Sequence, residues 1–513
     1  MELNKLEQSF KLNNFNTEDD VKIHFHSDII KPLLEELNPT MVSQYKSEDN
    51  LLAGGRTDAT FQNVSFELKK IKYFKNASGI EEALYGRNNK DHGLYDYIIS
   101  NSGVSNADRP DLIKSKLLNS IGVGFDGDSF IFARFVPSPT SHKINTDKLK
   151  IDIDVCLPVS FTYEIKNFSS GLKRLALLLK QQNKIALNKK NLISIINPKS
   201  EFVRKSIKTI YDELQFNLND LNGSTRVRTL YKEWDRVFGT MYGEDDEATS
   251  FTEVSSVIKE TYGYSEDVAI DSKVYLFALQ TFFNMFLKLL IYSFLAQLVS
   301  PTFKAENLTK PQIDKLFDGE LNKYESLVNN FFESHFMEWF TYTCLESKFD
   351  TTVVNNILDV VNQFDLSTYI LKPEEIQDIL QEVYMELIPA EMRHLMGEYF
   401  SPDWIVEHAL DLVGYKGDIE KTLIDPTAGS GTFLTHAIKR IVSKSDGKLS
   451  RNDIDKITHN VIGFDINPIS VVSAKANYIL AVFSSCDDAV FEDFADPINV
   501  PIYIADSILS PVV

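Results

Sequence analysis

Twelve residues near the end of the chain carry its sharpest chemical pattern: Leu423-Ile424-Asp425-Pro426-Thr427-Ala428-Gly429-Ser430-Gly431-Thr432-Phe433-Leu434. An apolar run, KTLID, enters a turn of small residues and leaves it as a helical pattern, GTFLTHAIKRIV. Glycine belongs where the backbone turns tightly and lets a ligand approach. A helix start beyond the turn offers unpaired N–H groups and the positive end of a dipole to a carboxylate or phosphate. Only Gly429 and Gly431 are present, so this is not the dinucleotide pattern G-x-G-x-x-G. Two further apolar runs end on acids: Val461-Ile462-Gly463-Phe464-Asp465, followed by Ile466-Asn467-Pro468, and Pro501-Ile502-Tyr503-Ile504-Ala505-Asp506. A carboxylate at the end of a second strand is where such folds grip a ribose diol. The spacing predicts three strands, each ending in Asp at one rim.

A second cluster lies near the start, within Gly54-Gly55-Arg56-Thr57-Asp58-Ala59-Thr60-Phe61-Gln62-Asn63-Val64-Ser65-Phe66-Glu67-Leu68-Lys69-Lys70. Asp58 opens one expected strand and Asn63 marks a turn. Glu67 and Lys69 then share a face of the next strand, because side chains at i and i+2 point the same way. An Asp and a Glu on adjacent strands suit a hard cation such as Mg2+. A neighbouring lysine suits orienting or deprotonating an attacking water whose pKa the metal lowers. The plainer reading is an ion pair on an exposed sheet.

The first pattern resembles the amino-DNA methyltransferases that make N6-methyladenine. DPTAGSGTFL is similar to their S-adenosylmethionine motif, and Gly397-Glu398-Tyr399-Phe400-Ser401-Pro402 to the upstream motif that closes over the methionine end. The resemblance implies a cofactor pocket of Phe400, Pro402, Asp425, Pro426, Ala428, Gly429, Gly431, Thr432, Phe433, Asp465, Ile466 and Asp506. Within it, Asp425 and Gly429 lie along the methionine moiety, Asp465 holds the ribose and Asp506 contacts the adenine ring. The second cluster resembles the core of the PD-(D/E)xK nucleases, with Thr57 where the family name has Pro. That resemblance implies catalysis by Asp58, Glu67 and Lys69, and Mg2+ held by Asp58, Glu67 and the helical acid Glu18, with Glu35 a weaker choice for the last. Asp28–Leu37 is similar to the first helix of such domains, and Gly122–Phe135 reads as two strands about a Gly-Asp turn. In this order the parts resemble type IIG restriction-modification enzymes and related phage-defence methylases. Glu233-Trp234 to Phe238-Gly239, with Phe277–Phe282, resembles the connector of that group.

One departure matters. Adenine N6 must be polarised before it takes a methyl group, and the family does this with a Pro-Pro-aromatic motif that also stacks on the flipped base. The chain contains no Pro-Pro dipeptide and stops seven residues after Asp506. The expectation is cofactor binding without methylation by this chain alone: the N-terminal half of a larger enzyme, a truncated chain or a split gene product. Its expected partners are double-stranded DNA and the missing C-terminal half.

Positioning these residues takes several domains. The 513 residues suggest three or four. The expected division is a PD-(D/E)xK-like α/β domain over 1–145, a helical connector over 146–390 and an incomplete Rossmann-like methyltransferase domain over 391–513. Cys156, Cys344 and Cys486 are too few and too scattered for a disulfide scaffold or a cysteine zinc cluster, and fit a reducing cytosol. The first thirty residues lack a signal-like apolar core. The run Val274–Val299 is long enough to span a bilayer, yet Gln280, Asn284 and Lys288 form a polar stripe on one face. That stripe predicts a buried helix rather than a membrane span. A net charge of −20 argues against nonspecific coating of nucleic acid. Yet Lys166–Lys208 holds eleven basic residues against Glu201 alone, which fits either a DNA-backbone contact or a solvated face beside an acidic neighbour. No P-loop, Gly-x-Ser-x-Gly or HExxH occurs, so ATP-driven translocation finds no support. The leading expectation is a cytoplasmic protein combining Mg2+-dependent DNA cleavage with an S-adenosylmethionine-binding core. The alternatives are a non-catalytic DNA-binding or assembly subunit, or a methyltransferase half completed by a partner chain.

Overall fold

The computed structural model describes all residues except 1–2, 14, 38–41, 44, 51–55, 89–90, 150–152, 182–183, 243–246, 301–302, 304, 319–326, 334–335, 344–348, 367–377, 396–400, 446–447, 487, 492–495 and 509–513. At 47–50, 56, 181, 238–242, 247–253, 349–350 and 488–489 it describes the backbone alone. The chain divides into two compact units, Met1–Asn183 and Lys184–Val513.

The first unit opens with helices α1 (Leu3–Lys11), α2 (Glu18–His24) and α3 (Lys31–Leu37), the last two joined by a π-helical stretch, Phe25–Ile30. Strands β1 (Tyr45–Asn50), β2 (Arg56–Phe61) and β3 (Val64–Leu68) follow. Then come α4 (Ala77–Tyr85), α5 (Leu94–Asn101), α6 (Pro110–Leu118), β4 (Ile121–Phe125), β5 (Ser129–Lys143), β6 (Cys156–Asn167) and α7 (Phe168–Gln181). The six strands form one sheet in sequence order, antiparallel except where β3 pairs parallel with β4. The β4–β5 hairpin turns where the Gly-Asp signal lies, and the Asp126 carboxylate fastens that turn by accepting N–H groups of Asp128 and Ser129. One face of the sheet buries an aromatic cluster of Phe10, Phe25, Phe66, Phe125, Phe130 and Phe168, with the Phe125 and Phe130 rings 4.4 Å apart. The other face packs Leu94, Ile98 and Ile113 of α5 and α6 against Ile131 and Ala133. Alternation along each strand creates both layers, since successive side chains face opposite ways. Residues 156–167 lie in the stretch expected to be mostly helical, yet they form β6. Its buried Leu157 and Val159 alternate with more exposed neighbours, the period of a strand.

The second unit is helical at first: α8 (Lys189–Ile195), α9 (Glu201–Asn219), α10 (Thr225–Tyr242), α11 (Glu247–Tyr262), α12 (Ser272–Val299), α13 (Lys310–Phe317) and α14 (Phe349–Val361). A short parallel pair joins β7 (Ile185–Ala186) to β8 (Phe364–Asp365). Next come α15 (Ile379–Leu387), α16 (Ala390–Leu395), α17 (Asp403–Leu412), β9 (Leu423–Asp425), α18 (Thr432–Lys444), α19 (Arg451–Asn460), β10 (Val461–Asp465), α20 (Pro468–Ser484) and β11 (Ile502–Ile504). The three strands form a parallel sheet with β10 between β9 and β11. Helices and sheet share a continuous apolar core, to which α12, α18 and α20 all contribute.

Helix α12 passes the length and composition test for a membrane span, but its apolar window is entirely buried inside the protein. The polar stripe is satisfied there. Gln280 Oε1 accepts the Trp234 indole N–H at 2.8 Å, and Asn284 donates to Glu338 Oε1 at 2.8 Å. Lys288 pairs with Glu338 and donates to the Glu333 carbonyl at 3.0 Å. A buried charge persists only when paired and hydrogen-bonded in this way.

Candidate functional site

The 423–434 segment is strand, turn and helix. Asp425 ends β9, Gly429 and Gly431 both take positive φ (+53° and +84°), and α18 begins at Thr432. The two glycines serve different needs. A Cβ on Gly431 would lie 3.1 Å from Ala474 of α20, so a side chain there meets a neighbouring backbone. A Cβ on Gly429 would meet nothing within 4 Å, which leaves open space beside the turn.

Asp465 ends β10 and closes the rim. Its Oδ2 accepts the Gly429 N–H at 2.8 Å and its Oδ1 the Asn467 N–H at 2.8 Å. The Ala428 N–H reaches the Phe464 carbonyl at 2.8 Å, and Gly463 pairs in register with Asp425. The structure therefore brings Asp425, the 429–431 turn and Asp465 together. Burial pushes the carboxyls of both Asp425 and Asp465 above their ordinary value. Asp425 Oδ1 accepts the Thr427 N–H at 3.1 Å, whereas its buried Oδ2 has no hydrogen-bond partner. A buried acceptor without a donor is costly, and a ligand donor would satisfy it.

Asp506 differs from the expectation. Strand β11 stops at Ile504, the last residue in register with β10, and Asp506 lies two residues further on, just ahead of a turn, its Oδ1 accepting the Ile508 N–H at 2.9 Å. The segment still borders the rim: Ala505 N–H reaches the Asp465 carbonyl at 3.0 Å, and Ser507 Oγ donates to the Pro426 carbonyl at 2.5 Å. Ala428 is buried and Ile466 partly exposed. Phe433 packs against the core. Thr432 is buried, and its hydroxyl is given to Asp378 rather than turned to the turn's open side. Phe400 lies outside the described residues. Pro402 caps α17, which is tied to α18 by Glu407 with His436 and Arg440. Asp378, which reaches this turn, is not marked by the local sequence pattern. It stands at the start of α15 in a Asp378-Ile-Leu-Gln381 capping pattern that signals a helix start but not its reach to the turn.

In the first unit, β2 and β3 pair up to Ala59↔Phe66. Just beyond, Asp58 Oδ2 accepts the Leu68 N–H at 2.6 Å, while its Oδ1 meets Lys22 Nζ at 2.8 Å. Lys22 also pairs with Glu18 at 3.2 Å. Glu67, buried on β3, pairs with Lys69 at 2.5 Å. Burial pushes the Glu67 carboxyl up to about 7, against the pull of Lys69. Burial works to lower the Lys69 ammonium, but Glu67, Glu18 and Asp58 together hold it above its ordinary value. Asp58, Glu67, Lys69 and Glu18 are thus brought into one electrostatic neighbourhood, with Lys22 among them. Glu35 stands apart, exposed beside Lys31. Among the described residues no group of three or more His, Cys, Asp or Glu is arranged to hold a metal ion. The expected Mg2+ site therefore does not fit as arranged: the Asp58 oxygens are taken by Lys22 and Leu68, and Glu67 by Lys69.

Residues 375–493 match the family model described as N-6 DNA Methylase. This segment is methyltransferase-like. No curated protein matches the sequence. Among solved structures, the cryoEM structure of a DrdV–DNA complex matches at 11% identity and a TM-score of 0.28, covering 99% of this chain and 40% of that one. The ATP-dependent Type ISP restriction-modification enzyme LlaBIII bound to DNA matches at 13% identity and a TM-score of 0.31, covering 67% of this chain and 19% of that one. The chain spans less than half the length of either.

Proposed function

We propose that the methyltransferase-like segment binds S-adenosylmethionine as the core of an adenine-N6 DNA methyltransferase. The carrying observation is the shared rim of Asp425, the 429–431 turn and Asp465, with Asp425 Oδ2 buried and lacking a donor. Asp425 suits an ammonium at the methionine end. The start of α18 suits its carboxylate. Asp465, an acceptor-only carboxylate when ionised whose oxygens take the Gly429 and Asn467 N–H groups, suits ribose hydroxyls. The segment carrying Asp506 suits the adenine edge. The cofactor, when bound, supplies an electrophilic methyl group; the residues here hold and orient it. Polarising the target amine is the task of a Pro-Pro-aromatic motif, which these 513 residues do not contain. The test compares S-adenosylmethionine with methylthioadenosine, which lacks the amino acid. Loss of the ammonium contact should weaken binding about tenfold or more; equal affinities for the two would refute the assignment of Asp425.

For the first unit we infer a PD-(D/E)xK-type DNA cleavage site, which makes the whole a portion of a bacterial restriction-modification enzyme acting on double-stranded DNA in phage defence. The convergence of Asp58, Glu67, Lys69 and Glu18 supports it. No step is assigned to Mg2+: as arranged, Lys22 and the Leu68 N–H hold the Asp58 oxygens and Lys69 holds Glu67. Plasmid nicking, assayed both with and without added Mg2+ or Mn2+, is expected from the wild type and not from Asp58→Ala or Lys69→Ala. Nicking that survives both substitutions rejects the site.

The reading of a methyltransferase half completed by further polypeptide has an observation of its own. Ile424 is 57% and Tyr503 47% exposed, although parallel sheets are ordinarily covered on both faces. Ile424→Glu with Tyr503→Lys should leave this chain's melting temperature unchanged and abolish association with a polypeptide carrying the missing motif. A clear fall in melting temperature would mean the face is already covered.

A further inference from the structure

A buried carboxylate outside the rim holds the turn from behind. Asp378 Oδ1 accepts the Gln381 N–H at 3.0 Å and the Asn477 amide at 2.7 Å. Its Oδ2 accepts the hydroxyls of Ser430 and of Thr432, the latter at 2.7 Å. Asn477 also donates to the Ser430 carbonyl at 2.9 Å. Capping α15 needs only one of these oxygens. Asp378 is 8% exposed, where a carboxyl without hydrogen-bond partners would be costly. What the second oxygen gains is a grip on the two residues that flank Gly431, while Asn477 fixes the same turn to α20.

We propose that Asp378 is a positioning residue that holds the 429–431 turn in its ligand-ready shape before any ligand arrives. It ties the turn to the starts of α15 and α18 and to the middle of α20, leaving Gly429 N–H on Asp465 and the space beside Gly429 clear. Preorganisation of this kind raises affinity by removing the ordering cost from the binding step. The proposal rests on the reading of the rim as an S-adenosylmethionine site, and the test separates the two.

The full chain carries Asp378→Ala, Asp378→Asn or the pair Ser430→Ala with Thr432→Val. Amide hydrogen exchange over 428–433 is read without ligand, and S-adenosylmethionine binding by calorimetry. Asp378→Ala should exchange faster at 428–433 and bind about tenfold or more weakly. Asp378→Asn should recover most of both, since its carbonyl still accepts from Gln381 and Asn477 and its amide donates to hydroxyls that also accept. A role in bulk packing alone would give no recovery confined to the turn. If Asp378→Ala fails to fold, the Ser430→Ala/Thr432→Val pair must show the same loosening. Wild-type protection at 428–433 in Asp378→Ala, or in that pair, overturns the proposal. Absence of heat from the wild type overturns the cofactor reading instead, and the exchange comparison still decides the clamp.

Discussion

Single positions separate residues that hold the fold from residues that serve a ligand. Gly431 and Gly429 both take positive φ, where a β-carbon costs about 1–2 kcal/mol. Only Gly431 would also press a side chain on Ala474. Gly431→Ala should therefore lower the melting temperature of the second unit clearly more than Gly429→Ala, which should chiefly impair ligand binding. Equal thermal losses would contradict the distinction. Glu67 gives a pH dependence of defined sign. Its carboxyl is raised from 4.5 to about 7 by burial, so the folded state holds the proton more tightly than the unfolded chain. The associated stability is fully present below pH 4.5 and is lost as pH rises through about 7, by at most roughly 3 kcal/mol. Melting curves between pH 4.5 and 7.5 should show this decline in the wild type and a flatter profile in Glu67→Gln. Parallel profiles would show that Glu67 does not titrate in this range.

At the scale of elements, α12 shows what a polar stripe in an apolar helix does. Lys288 and Glu338 are fully buried partners, with Asn284 on the same carboxylate. Removing one partner strands a charge, so Lys288→Met alone should cost about 3–5 kcal/mol, whereas Lys288→Met with Glu338→Leu should recover much of it. Additive losses in denaturant titrations would argue against a coupled pair. The stripe was readable because Gln280, Asn284 and Lys288 recur every fourth residue; their partners were not, since Trp234 and Glu338 lie 46 and 54 residues from the groups they meet. The same limit applies around the turn. Two strands ending on Asp and the small-residue turn between them follow from local pattern, whereas Asp378 reaches Ser430 across 52 residues. β6 escaped a reading tuned to helical stretches because its alternation is interrupted by partly exposed positions.

Across the whole molecule, charge and composition say less than the two compact units do. The eleven basic residues of Lys166–Lys208 are shared between the units, and several are matched by acids outside the stretch: Arg174 with Glu164, Lys189 with Glu382 and Lys208 with Asp212. The net +10 of the stretch, eleven cations less Glu201, therefore overstates the charge available to a phosphate backbone. The helices of the second unit and its three-stranded sheet share one core, so the scaffold around the turn extends well beyond the strands that announce it. The most direct test is calorimetric titration of S-adenosylmethionine into the full chain, alongside Asp465→Ala. The account predicts saturable heat at one site per chain, weakened about tenfold or more in the variant. No heat from a wild type whose second unit melts cooperatively, or an unchanged affinity in Asp465→Ala, would contradict it.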